Sequence, residues 1–218
     1  MKRLSSKVQV EAFTLIELLV VVVIIAVIAA MLLPARTGRG PNNRIRCVNN
    51  LKQIDIGCIM WATDHEDKFP WQISVVTNGT MEFISSGYAS LQFRPVSEYM
   101  HNSQIFICPA DKAKYAATNH NQVREENVSY FVNCDAATSN KPTTTILAGD
   151  RNLQANGHAV NPGLFVLTTN LDLSWTHELH LNGGNLAFAD GHVEWTRTNN
   201  LNAVVQHQPF IISRLLVP

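Results

Sequence analysis

Charge is scarce in this chain. Only 16% of its 218 residues are Asp, Glu, Lys or Arg, where about 25% is usual for a soluble domain. The two signs balance at 17 each. No basic surplus is present to hold a phosphate backbone, so nucleic acid is not an expected partner. Cysteine is sparse as well. Cys47, Cys58, Cys108 and Cys134 form no C-x-x-C pair, which removes zinc-ribbon and thioredoxin-type readings. A P-loop, a G-x-S-x-G elbow and an H-E-x-x-H helix are also missing, as are internal repeats and low-complexity tracts. No cofactor is expected, and no nucleophile–base set points to an enzyme.

One long apolar run stands out against this background. Phe13 to Leu33 is 21 residues, about 31 Å as a helix and enough to cross a bilayer core. From Leu18 to Leu33 no polar residue occurs. Lys2, Arg3 and Lys7 precede the run, while Arg36, Arg39, Arg44 and Arg46 follow it. With both flanks basic, positive-inside counting does not set the orientation. The short N-terminal tail and a large head able to form disulfides favour a single pass through the inner membrane, N-terminus cytoplasmic and head periplasmic. The anomaly is Glu17, since a carboxylate at bilayer depth costs about 2.5–3.5 kcal/mol on insertion scales.

The segment AFTLIELLVVVVIIAVIAAMLLP resembles the N-terminal signature of type IV pilins and of the pseudopilins of type II secretion. The resemblance implies a leader over 1–12, cut by a prepilin peptidase between Ala12 and Phe13, with N-methylation of Phe13. The family prefers Gly before the cut, where Ala12 stands. It implies a transmembrane and assembly helix over 13–34, with Glu17 at the family's acidic position and Pro34 at its helix-kinking proline. The freed amine of one subunit would neutralise Glu17 of the next inside the helix bundle and fix the register between subunits. The implied partners are other pilin-like subunits, the prepilin peptidase, the inner-membrane assembly machinery and the membrane itself. The implied product is a pseudopilus or a type IV pilus-like filament, the second being a surface filament, and the role is structural rather than enzymatic.

Beyond Pro34, Gly38, Gly40 and Pro41 predict a linker or helix break over 35–43. Helix resumes near Asn43, where Cys47, Leu51, Ile54, Cys58 and Trp61 recur at spacings of four and three and form one inward stripe. On that stripe Cys47 and Cys58 read equally well as small buried hydrophobes. The motifs C-V-N-N-L-K-Q-I (47–54), C-P-A-D (108–111) and a late H-x9-D-G element (His180, Asp190, Gly191) resemble those of a large set of bacterial prepilin-like heads. The whole head is expected over 44–218, with that element at 180–191.

Asp190-Gly191 between LAFA and HVEW predicts a hairpin with a two-residue type I′ loop. Ala189 then faces His192, Phe188 faces Val193 and Leu186 faces Trp195. Gly183-Gly184 reads as a turn. His177, His180, His192 and Asp190 lie close in sequence, yet His180 is read as a hydrogen-bonding brace for the hairpin, and no metal is assigned. In the middle third, ISVVTNGT, QIFICPAD, VSYFVNCD and TTTILAGD read as short strands. Proximity of the second and third makes Cys108–Cys134 a candidate disulfide. Asp150-Arg151 reads as an exposed strand end. The expected fold class is α+β: a long N-terminal transmembrane helix, then an amphipathic helix on small antiparallel sheets. Two other readings compete with the filament subunit. One is a membrane-tethered binding protein outside the cytoplasm, and the other is a tethered hydrolase built on His180 and Asp190.

Overall fold

The computed structural model describes residues 14–32, 43–138 and 143–218. The chain divides into two compact units, Met1–Pro41 and Asn42–Pro218. The expected leader (1–12), the Ala12–Phe13 cut, Pro34 and the linker up to residue 42 lie outside the described residues.

In the first unit, helix α1 runs Leu15–Leu32. It begins with a capping box that spans Thr14 and Glu17. The Thr14 hydroxyl accepts from the Glu17 backbone N–H at 3.3 Å, and the Glu17 carboxylate accepts from the Thr14 N–H at 3.0 Å and from its hydroxyl at 2.8 Å. Two donors that a helix start would leave orphaned are thus satisfied. The transmembrane helix expected over 13–34 is corrected by this structure. Among the described residues no helix is long and apolar enough to cross a membrane. The cap at Thr14 starts α1 at Leu15, and Glu17 sits within its first turn.

The second unit is α+β. Helix α2 (Asn43–Thr63) carries the predicted stripe, and Cys47, Leu51, Ile54, Cys58 and Trp61 are all buried. Helix α3 (Ala89–Met100) packs beside it, and helix α4 (Thr198–Gln206) comes late in the chain. Among the described residues the strands are, in chain order, β1 Tyr130–Asn133, β2 Ile146–Asp150, β3 Leu153–Ala155, β4 His158–Ala159, β5 Gly163–Thr168, β6 Leu173–Trp175, β7 Gly183–Phe188, β8 Val193–Arg197 and β9 Ile212–Val217. They form a six-stranded antiparallel sheet in the order β5-β9-β1-β2-β7-β8 and a three-stranded sheet β4-β3-β6.

The large sheet is covered on both faces. Tyr130, Val132, Ala187 and Leu216 join α2 and α3 in one core. Phe131, Leu186, Phe188, Leu215 and Val217 join α4 and the small sheet in a second core. Alternate residues of one strand thus enter different cores, which is why β1, β2 and β7 are buried at every position. Fully burying one such Leu or Phe is worth about 1.5–3 kcal/mol. The last strand, β9, is not at an edge of this sheet. It lies between β5 and β1.

Of the four middle runs, VSYFVNCD and TTTILAGD supply β1 and β2, whereas ISVVTNGT and QIFICPAD fold into short 3-10 turns at Val75–Thr77 and Ser103–Phe106. The hairpin register also differs by one residue. Ala187 pairs with Val193 and Leu186 with Glu194. The loop is the three residues 189–191, with Gly191 N–H donating to the Phe188 carbonyl at 3.0 Å and Gly191 at φ +95°. A type I turn closed by a left-handed glycine replaces the expected type I′ turn. The slip moves Val193 and Trp195 to the face opposite Leu186 and Phe188.

Candidate functional site

The motifs that lie far apart in sequence meet at one end of the large sheet. On α2, Cys47 forms a disulfide with Cys108. The same helix contributes Asn50, whose side-chain amide donates to the Ile107 carbonyl at 2.8 Å. These two links tie the first turns of α2 to the C-P-A-D turn. The Ser129 N–H donates to the Phe106 carbonyl at 2.9 Å, and the Arg151 N–H donates to the Ser129 carbonyl at 3.1 Å. The turn is thereby fastened to the start of β1 and the end of β2.

The candidate bridge Cys108–Cys134 is not formed. Cys134 and Cys58 are free and buried. The reason lies in strand direction. The QIFIC segment touches β1 at its Ser129 end, while Cys134 lies beyond the other end, beside Arg214. Five residues of extended chain separate these points by about 16 Å, and a disulfide tolerates Cα separations only up to about 7 Å.

Asp111 of the C-P-A-D turn is buried and receives a two-pronged hydrogen bond from Arg151, Nε to Oδ2 at 2.7 Å and Nη2 to Oδ1 at 2.9 Å. Burial pushes the Asp111 carboxyl up, but the hydrogen bonds and charge of Arg151 outweigh it and leave the group below its ordinary range. Arg151 also donates to Glu178 at 2.5 and 3.3 Å, which fixes the segment leading to His180.

His180 faces the disulfide. Its Nε2 lies 3.2 Å from Cys108 Sγ and 3.5 Å from Asp150 Oδ2, with 5% of the side chain exposed. Its ring meets Trp195 of β8 edge-on, with centroids 5.7 Å apart, and the Arg44 guanidinium lies over the same indole. Burial, then the positive charge of Arg44, lowers the His180 pKa and favours a neutral imidazole. The next two residues, Leu181 and Asn182, both adopt left-handed backbone at φ +55° and +63°. That sharp turn folds His180 back over the sheet and feeds β7.

Asp150 is fully buried at the end of β2. Its Oδ2 accepts from the Asn185 backbone N–H at 2.7 Å and from the Asn185 side-chain amide at 2.8 Å, while Oδ1 has no partner among the described residues. Burial pushes the carboxyl up to about 7 despite those two bonds. One donor atom from each of Cys47, Cys108, Asp150 and His180 lies within 4.8 Å of the others.

His180 is thus brought to the site, but Asp190, Gly191, His192 and His177 are not gathered around it. Asp190 binds His192 Nδ1 at 2.5 Å beside the hairpin loop, and His177 is exposed. Neither the expected exposed end at Asp150 nor the Gly183-Gly184 turn is found. Asp150 is central to the site, and both glycines lie within β7. A Cβ on Gly183 would come within 2.3 Å of Trp195, and one on Gly184 within 2.6 Å of Trp175. The two glycines let an indole press against each face of the strand. Asp150 and Asn185 carry no sequence signal beyond their neighbours in the motifs.

A separate cleft of about 720 Å³ lies at the Cys134 end of β1, lined by Trp71, Glu82, Asp135 and Arg214 among others. Arg214 pairs with Asp135 there at 2.6 Å. None of the motif residues reaches it. Comparison with known proteins finds no matching family model, no matching curated protein and no matching solved structure.

Proposed function

We propose that this chain is a structural subunit of a pilin-like or pseudopilin-like filament, assembled through α1. The observation that carries this reading is the surface of α1. Every side chain from Leu15 to Ala29 is exposed, and all but Glu17 are apolar. A helix apolar on every side has no solvent face and is stable only when surrounded. Copies of the same helix supply such surroundings, and the resemblance of FTLIELLVV to prepilin signatures supports that choice.

Processing by a prepilin peptidase between Ala12 and Phe13 would free an α-amine on the residue immediately before the capping box. Within the bundle, Glu17 would exchange its local bonds with Thr14 for the amine of a neighbouring subunit, a pairing that offsets the cost of burying the acid. The head would sit in an oxidising compartment outside the cytoplasm, a placement supported by the Cys47–Cys108 disulfide. The site around His180 then braces the head; it holds no paired nucleophile that would make it hydrolytic.

The test is interchain crosslinking through single cysteines placed along α1, such as Val22→Cys or Ile25→Cys, in cells that contain the assembly machinery. The expected result is a ladder of crosslinked chains whose mature N-terminus is N-methylated Phe13. Glu17→Ala should leave the chain intact and erase the ladder. Monomers only, or a ladder indifferent to Glu17→Ala, would refute the proposal.

A further inference from the structure

We propose that the Cys47–Cys108 pair has a second, metal-bound state: once reduced, the two sulfurs join His180 and Asp150 to bind one zinc ion. The four groups come from four separate places in the chain, α2, the C-P-A-D turn, the end of β2 and the loop before β7. Their donor atoms already lie within 4.8 Å of one another. Around a tetrahedral zinc with ordinary Zn–S and Zn–N lengths, neighbouring donors stand about 3.3–3.8 Å apart. The separations of His180 Nε2 from Cys108 Sγ, 3.2 Å, and from Asp150 Oδ2, 3.5 Å, fall close to that range. Cleaving the S–S bond frees the two sulfurs to move to the same spacing.

Three further observations point to a cation. Asp150 is fully buried, and its Oδ1 has no hydrogen-bond partner among the described residues. A buried carboxylate oxygen without a donor is costly and is satisfied by a metal. The other oxygen is held by two bonds from Asn185, the kind of outer support that orients metal ligands. Two thiolates and one carboxylate exceed the charge of Zn²⁺ by one, and the Arg44 guanidinium lies over Trp195, whose ring edge meets His180.

The chemistry balances in two steps. A dithiol reductant gives two electrons and two protons to the disulfide. The S–S bond breaks, two thiols form and the reductant becomes a disulfide. Zinc then replaces the two thiol protons, which leave to solvent. Because the donors are buried, the ion enters as the reduced head folds. It holds α2 to the C-P-A-D turn before oxidation, as the disulfide does afterwards.

The experiment uses the full chain, reduced with a phosphine that does not compete for the metal and titrated with Co²⁺. The reduced chain should bind one equivalent, with the thiolate charge-transfer band and visible absorption of tetrahedral cobalt, and Zn²⁺ should displace it. The oxidised chain should give neither band. In the reduced state His180→Ala and Asp150→Asn should each weaken binding at least about tenfold, and their oxidised forms, which retain the disulfide, report on folding. If reduction unfolds the head, restoration of its circular dichroism by Zn²⁺ is the supporting result. The proposal fails if no cobalt–thiolate band appears, if Cys47→Ser with Cys108→Ser binds equally well through Cys58 and Cys134, or if the two ligand substitutions leave affinity unchanged.

Discussion

Asp55 offers a direct measurement of what a buried charge costs this head. It lies on α2, fully buried, and among the described residues neither carboxylate oxygen has a hydrogen-bond partner. Burial, and then the charge of Asp190, pushes its carboxyl up from 3.8 to about 8. The folded state therefore binds this proton more tightly than the unfolded state does. Linkage fixes the sign: stability from this group is fully present below about pH 4 and is lost as pH rises toward 8. At pH 7 the gap is about three pH units at about 1.4 kcal/mol each, or roughly 4 kcal/mol.

Asn has nearly the same shape and leaves its polar atoms in the same surroundings, so Asp55→Asn removes mainly the charge. Urea unfolding of the disulfide-intact chain and of the variant should be followed from pH 4 to pH 8. The two should be about equally stable at pH 4, with the variant ahead by a few kcal/mol at pH 7 to 8. Taking the difference cancels the titration of the carboxylates that do not interact with Asp55. A difference that stays flat across this range, or a variant weaker than the native chain at pH 8, would refute the reasoning.

Arg151→Met would leave Asp111 buried without its cation and should cost about 3–5 kcal/mol at pH 7. The loss should shrink in acid, because the depressed Asp111 pKa makes that contribution disappear as pH falls through it; denaturant midpoints at pH 7 and pH 3 check both points. Gly184→Ala forces a methyl against Trp175 and should destabilise by about 1–3 kcal/mol in thermal melts, with quenching or shift of tryptophan fluorescence. Replacing Cys47 and Cys108 together by Ala opens a loop of sequence separation 61. The chain-entropy relation gives a loss of about 4 kcal/mol, measured as a lowered denaturant midpoint. Thr14→Ala removes the cap of α1 and should cost about 1 kcal/mol of local helix stability, read as faster amide exchange at its first turn.

Local chemistry explains which expectations held. The α2 stripe depends on a 3.6-residue period that reaches its partner surface whatever that surface is, so Cys47, Leu51, Ile54, Cys58 and Trp61 were readable in advance. The hairpin was readable as a hairpin, and Gly191 as its left-handed residue, because Asp-Gly turns are short-range. Its register was not, since two- and three-residue loops share that dipeptide and packing against two cores chose between them. QIFIC has strand composition but folds into a 3-10 turn, where Ile105 and Phe106 meet the core without any ladder.

The N-terminal segment that resembles prepilin signatures is conspicuous in sequence, and within it T-L-I-E is also a capping box. That box gives Glu17 a partner three residues away and sets where α1 begins. The site around His180 is a different matter. Periodicity and turn chemistry act over a few residues and so determined α2, β1, β2 and the hairpin from sequence alone. Bringing Cys47, Cys108, Asp150 and His180 together required strand order and the double covering of one sheet. Those arise from burial summed over the whole head, so only the tertiary structure decided which cysteine Cys108 would meet and that Asp150 would lie inside.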